Sequence, residues 1–180
     1  MLKPIYVILI IMPFLFGCRG TNDTVQETKQ AANSSKNFSS SATIKLSDNI
    51  PFKKGVRVRP AIKTDCDLGG KLSEYVQSFG QSKNFNFSPT KGKRELVLNI
   101  SHVHGTGGGA WTGAKSVTVE GKLMEGSKLI GSFTGTRTSG GGFFGAYKGT
   151  CSILGRCVKT LGKDIATWLE TPTKNAIIGE

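Results

Sequence analysis

The sequence has few acidic residues and no long hydrophobic run. Twelve Asp and Glu residues face 24 Lys and Arg residues in 180, and the isoelectric point is about 9.8. This imbalance favours anionic partners, such as nucleic acid, phospholipid headgroups or acidic cell-wall polymers. The apolar run at residues 4–17 is shorter than the roughly 20 residues that a membrane-spanning helix needs, and Pro13 interrupts it. A transmembrane anchor is therefore disfavoured.

Histidines and nucleotide-binding motifs are also scarce. The two histidines are His102 and His104, which would share one face of a strand. With no third histidine or nearby cysteine, a solvated strand end is favoured over a metal site. Neither "GTGGGA" nor "SGGGFFGAYKGT" has the context of a phosphate-binding loop. We predict no metal and no cofactor.

The N-terminus has the parts of a secretory signal peptide, a short basic start followed by the apolar run. The residues that end it, Leu15-Phe16-Gly17-Cys18, resemble a bacterial lipobox. The resemblance implies that signal peptidase II cleaves before Cys18 and that its thiol carries a lipid. In enterobacterial lipoproteins Asp after the cysteine retains the protein at the inner membrane. Arg19 therefore favours the outer membrane, with the domain facing the periplasm.

The chain divides into three parts on composition. Residues 1–17 are the predicted signal peptide, and residues 18–45 the lipidated cysteine with a flexible tether rich in Ser, Thr, Asn and Gln. Residues 46–180 are predicted to form a single globular domain. Export removes cytoplasmic nucleic acid from the possible partners.

Hydrophobic periodicity predicts the elements of this domain. Alternating residues predict strands at 56–59, 94–104, 115–124 and 129–137, and a short strand around Phe85 and Phe87. Helical spacing predicts helices at 65–80 and 151–170. The order β-α-β-β-β-β-α predicts an α+β two-layer domain, with a mostly antiparallel sheet and two helices on one face.

Two glycine-rich connections fall at the same end of this predicted meander, at residues 105–113 and 139–149. They carry Trp111, Phe143, Phe144 and Tyr147, which we predict to bind a partner at this rim of the sheet. The alternative is that these aromatic side chains fold back and cap the core.

Three cysteines remain once Cys18 is lipidated, and an oxidising compartment favours a disulfide among them. Two antiparallel helices would hold Cys66 and Cys151 about 21 Å apart, which is beyond disulfide reach. The prediction is therefore a Cys151–Cys157 bond, and a bond to Cys66 would show that the assumed topology is wrong.

Residues 96–169 resemble a group of small uncharacterised proteobacterial lipoproteins through "GGGAW", "SGGGFFGAYKGTCSILGRC" and "LGKDIATWL". That group implies no activity. The element order is also loosely similar to the N-terminal domain of TolB and to lipoprotein activators of peptidoglycan synthases. This similarity concerns the fold, which does not set function.

Three functions remain open. The leading hypothesis is a non-enzymatic, membrane-anchored lipoprotein that binds an envelope protein or peptidoglycan through the rim. The second is a periplasmic enzyme or ligand-binding protein that uses His102 and His104 with hydroxyls of Ser101, Thr106 or Ser139. The third is a structural link between membrane and cell wall through the basic cluster of Lys53, Lys54, Arg57, Arg59, Lys91, Lys93 and Arg94.

Overall fold

The computed structural model describes residues 42–105, 113–140 and 149–179, which form an α+β domain. None of the described helices is long and apolar enough to cross a membrane. The described elements, in chain order, are β1 (Ile44–Lys45), α1 (Pro60–Asp65), α2 (Leu68–Gln81), β2 (Phe87–Ser88), β3 (Arg94–His104), β4 (Lys115–Glu125), β5 (Lys128–Ser139), α3 (Thr150–Trp168) and β6 (Ala176–Ile178).

The centre of the sheet is the predicted antiparallel meander. β3 pairs with β4, and β4 pairs with β5 through a two-residue turn in which Gly126 has a φ of 59°. A positive φ is a conformation that glycine adopts without steric cost, so Gly126 suits this hairpin. The three long strands lie within two residues of their predicted bounds.

The edges of the sheet differ from the prediction, because the sheet is mixed. Its order is β2-β1-β3-β4-β5-β6, and β1 runs parallel to β2 and β3 while β6 runs parallel to β5. The predicted strand at 56–59 does not form. Its basic side chains are exposed, and Pro60 instead occupies the first turn of α1, where its fixed φ and missing N–H are tolerated.

The helices α2 and α3 run in the same direction, which corrects the antiparallel arrangement assumed from the sequence. Each of them follows one strand and precedes another that is parallel to it, so each returns against the strand direction. At their C-terminal ends, Lys83 Nζ lies 2.6 Å from Glu170 Oε2. At their N-terminal ends, Cys66 and Cys151 have Cα atoms 4.8 Å apart and form a disulfide.

The predicted Cys151–Cys157 bond is therefore wrong. Cys151 bonds to Cys66 because parallel helices bring the two N-terminal ends together, and Cys157 stays a free, buried thiol. The bond to Cys66 also shows that the antiparallel arrangement of the two helices, which the prediction assumed, was wrong.

The core lies between the helices and one face of the sheet. The predicted stripe on α3 is buried, and α2 begins where Asp67 caps it by accepting a hydrogen bond from the backbone N–H of Gly70. Phe133 on β5 packs edge-on against Trp168, with ring centroids 4.8 Å apart. The stripe of α3 consists of Leu154, Val158, Leu161, Ile165 and Trp168.

Candidate functional site

The face of the sheet opposite the helices, which we call the open face, is largely polar. Side chains alternate along a strand, so every second residue of the meander points away from the core. Apart from the exposed Val97 and Ile177, the open face carries mainly hydroxyl and charged groups. Its polar members are Asn99, His102, His104, Ser116, Thr118, Glu120, Lys122, Ser132, Thr134, Thr136 and Thr138.

Both histidines lie on the open face and are exposed. A β-bulge between Ile100 and His102 changes the alternation, so that Val103 is buried while His102 and His104 face outward. Within the residues that the structure describes, no group of three His, Cys, Asp or Glu side chains could hold a metal ion.

A hollow of about 500 Å³ lies beside the first histidine. Its single carboxylate, Glu120, accepts two hydrogen bonds from Lys53 Nζ, at 2.9 and 2.8 Å. The carboxylate is thus paired with a lysine, while His104 is not among the lining residues. The polar and charged side chains of the hollow are Lys53, Lys54, Arg57, Ser101, His102 and Glu120.

A second, larger groove of about 850 Å³ runs across the open face. Val97 and Ile177, which are 39% and 71% exposed, line it together with Asn99, Lys122 and Thr134. Small-molecule sites are mostly apolar and enclosed. This groove is open rather than enclosed, although much of its lining is apolar, so it is better suited to contact with another surface.

The strand pairings at one end of the meander show where the two glycine-rich connections begin and end relative to the sheet. His104 pairs with Ser116, and Lys115 pairs with Ser139. The first glycine-rich connection therefore joins β3 to β4 at this end of the sheet, and the second leaves β5 at the same end and leads to α3. The predicted partner-binding residues Trp111, Phe143, Phe144 and Tyr147 lie outside the described residues, as does Cys18. Their roles stay predictions.

A buried lysine, Lys115, is the first residue of β4 and lies at the end of the sheet where the rim is. Lys115 is 1% exposed, and its backbone carbonyl accepts a hydrogen bond from the Cys157 thiol at 3.5 Å. Burial raises the pKa of Cys157, so the group is a thiol at neutral pH and a poor nucleophile. Sequence reasoning missed Lys115, although it shares the parity of Val117 and Val119, which the alternation placed in the core.

The predicted basic cluster separates into two parts. At the hairpin end of the sheet, Glu125 Oε1 lies 3.7 Å from Lys93 Nζ and 3.4 Å from Arg94 Nε. Lys54 and Arg57 line the hollow near the opposite end. The cluster is therefore not one continuous surface.

Comparison with known proteins gives no family for this chain. No protein-family model matches it, and no curated protein matches it. Among solved structures, it is similar to the PelC dodecamer from Paraburkholderia phytofirmans, with 12% identity, a TM-score of 0.43, and coverage of 67% of this chain and 86% of that one. It is also similar to the DUF330 protein XCC0632 from Xanthomonas campestris, with 13% identity, a TM-score of 0.40, and coverage of 71% and 82%. Likeness at this level assigns no function.

Proposed function

We propose that this chain is a lipid-anchored, non-enzymatic binding module of the bacterial cell envelope. Cys18, the first residue after the signal peptide, carries the lipid, and the tether connects it to the folded domain. The domain faces the periplasm from the outer membrane and binds an envelope protein, or peptidoglycan, at the rim.

The observation that carries this proposal is the disulfide between Cys66 and Cys151. Disulfides persist in oxidising compartments such as the periplasm and are rare in the cytosol, where thiols are kept reduced. The bond therefore supports export, which the signal peptide also predicts.

Binding at the rim is supported by the meander ends, which bring both glycine-rich connections to one end of the sheet. The alternative of catalysis by the histidines is less well supported. A general base needs a reacting group and an orienting partner within hydrogen-bond reach. Glu120, the carboxylate that lines the hollow, is already paired with Lys53.

The anchor is tested by growing cells with an alkyne analogue of palmitate and measuring its incorporation into the protein. We expect labelling of the wild-type chain, none of Cys18→Ser, and unchanged labelling of Cys157→Ala, a matched loss of one thiol. If Cys18→Ser stayed cleaved and membrane-bound, the anchor would be elsewhere and the proposal wrong.

A further inference from the structure

Residues 53–63, which we call the basic strap, contain five Lys or Arg residues and no acidic residue. The strap begins with a tight turn in which the backbone N–H of Val56 donates to the carbonyl of Lys53 at 3.2 Å. Gly55 has a φ of 83° there, which other residues rarely adopt. The turn leaves Lys54 exposed at its corner.

The strap is hydrogen-bonded to the edge of the sheet at its first end, and its last residue contacts Phe52, which lies just before the strap. Next to β3, the backbone N–H of Lys53 donates to the carbonyl of Ile100 at 2.9 Å, and the N–H of Ile100 donates to the carbonyl of Pro51 at 2.9 Å. At the other end, Lys63 Nζ lies 5.7 Å from the centre of the Phe52 ring. The basic side chains are therefore held on an ordered backbone, which lowers the entropy cost of binding.

The charge of the strap is not neutralised by the rest of the domain. Glu120, the carboxylate beside it, is paired with Lys53. Among the residues that the structure describes, Lys54, Arg57 and Arg59 have no carboxylate within 4.0 Å. Three exposed cations within six residues of the chain thus face solvent or an external anionic partner.

We infer that the basic strap docks on an anionic phospholipid surface, namely the headgroup layer of the membrane that holds the anchor. This inference rests on the proposed lipid anchor at Cys18. The tether predicted from the sequence would span roughly 30 Å on average as a random coil of 27 residues. It would keep the strap near the headgroups at a high effective concentration.

Val56 and Val58 alternate with the cations and are half-buried, and Val58 packs against the hydrophobic core. The side chains that the strap offers to a partner are therefore its cations. An acidic glycan could also meet these cations, but the proposed anchor holds the strap beside the phosphates of its own membrane. The position of the anchor therefore favours the lipid surface.

Vesicle sedimentation tests the docking with the mature chain from residue 18, made unlipidated by Cys18→Ser. We expect binding to vesicles of phosphatidylcholine with phosphatidylglycerol, and little binding to phosphatidylcholine alone. The variant Lys54→Gln/Arg57→Gln/Arg59→Gln should bind about a hundredfold more weakly, at about fivefold for each basic residue near the surface.

The matched control is Arg156→Gln/Lys159→Gln/Lys163→Gln, which removes the same charge from exposed positions of α3. It should bind within about threefold of wild type, because charges farther than a Debye length from the surface are screened. Circular dichroism should show both variants folded.

Three results would overturn the inference: equal losses in the two triple variants, equal binding to neutral vesicles, or preferential binding to isolated peptidoglycan. The anchor is judged separately by palmitate labelling. Lost labelling with intact vesicle binding would overturn the anchor alone. Intact labelling without vesicle binding would overturn the docking alone.

Discussion

The two faces of the sheet are built from the same strands and differ in what they contribute. On β4, Val117, Val119 and Leu123 are buried under the helices, whereas Thr118 and Lys122 lie on the open face between them. Burial of the first set supplies the hydrophobic free energy of folding. The second set contributes little to stability, so the core does not determine its composition.

The largest expected effect concerns the disulfide, which ties together the N-terminal ends of the helix layer. Replacing Cys66 and Cys151 with serine should lower the free energy of unfolding by about 4 kcal/mol, because the bond closes a long loop in the unfolded chain. Urea-induced unfolding without reductant measures this loss of unfolding free energy.

The control for this prediction is Cys157→Ala, which removes a buried thiol outside the bond. It should cost about 1 kcal/mol. If Cys66→Ser proved as stable as wild type, the observed pairing would be contradicted.

The next largest expected effect on the unfolding free energy comes from a direct comparison of the two faces of the sheet. Leu161→Ala should lower the unfolding free energy by about 3 kcal/mol, because the side chain is completely buried and its loss leaves a cavity. Thr134→Ala, on the open face, should cost less than about 1 kcal/mol. Equal costs would show that the open face is also covered in the folded protein.

The smallest effect compares two glycines of α3. A Cβ at Gly162 would lie 2.6 Å from Tyr75 Cβ, so Gly162→Ala should push the helices apart and cost about 1 kcal/mol even after the gain in helix propensity. A Cβ at Gly155 meets nothing within 4 Å, and Gly155→Ala should stabilise by up to about 1 kcal/mol. Thermal unfolding measures both, and a shift of the same sign in the two variants would contradict the close contact.

Long, strongly periodic elements were predictable from the sequence. The meander and α3 were recognised because each alternation or helical stripe extends over many residues and matches burial in the structure. The direction of the helices was not predictable, since it depends on the parallel pairing of β1 and β6. These strands have two and three residues, too few to show a period.

Local irregularities limited the prediction of the site. Leu96, Leu98 and Ile100 face the core, and strict alternation would carry His102 inward as well. The bulge after Ile100 reverses this, and a bulge has no clear signal in one sequence. The shared end of the two glycine-rich connections, in contrast, followed from the meander alone, because strand order fixes where the turns fall.

The central claim, binding at the rim, is tested most directly by crosslinking in the native envelope. A photoreactive amino acid replaces Trp111, or Glu74 on the exposed side of α2 as the control position. We predict that position 111 captures a defined envelope partner, that Phe143→Ala reduces this capture, and that position 74 does not capture the partner. Equal capture from both positions, or capture unchanged by Phe143→Ala, would contradict the account.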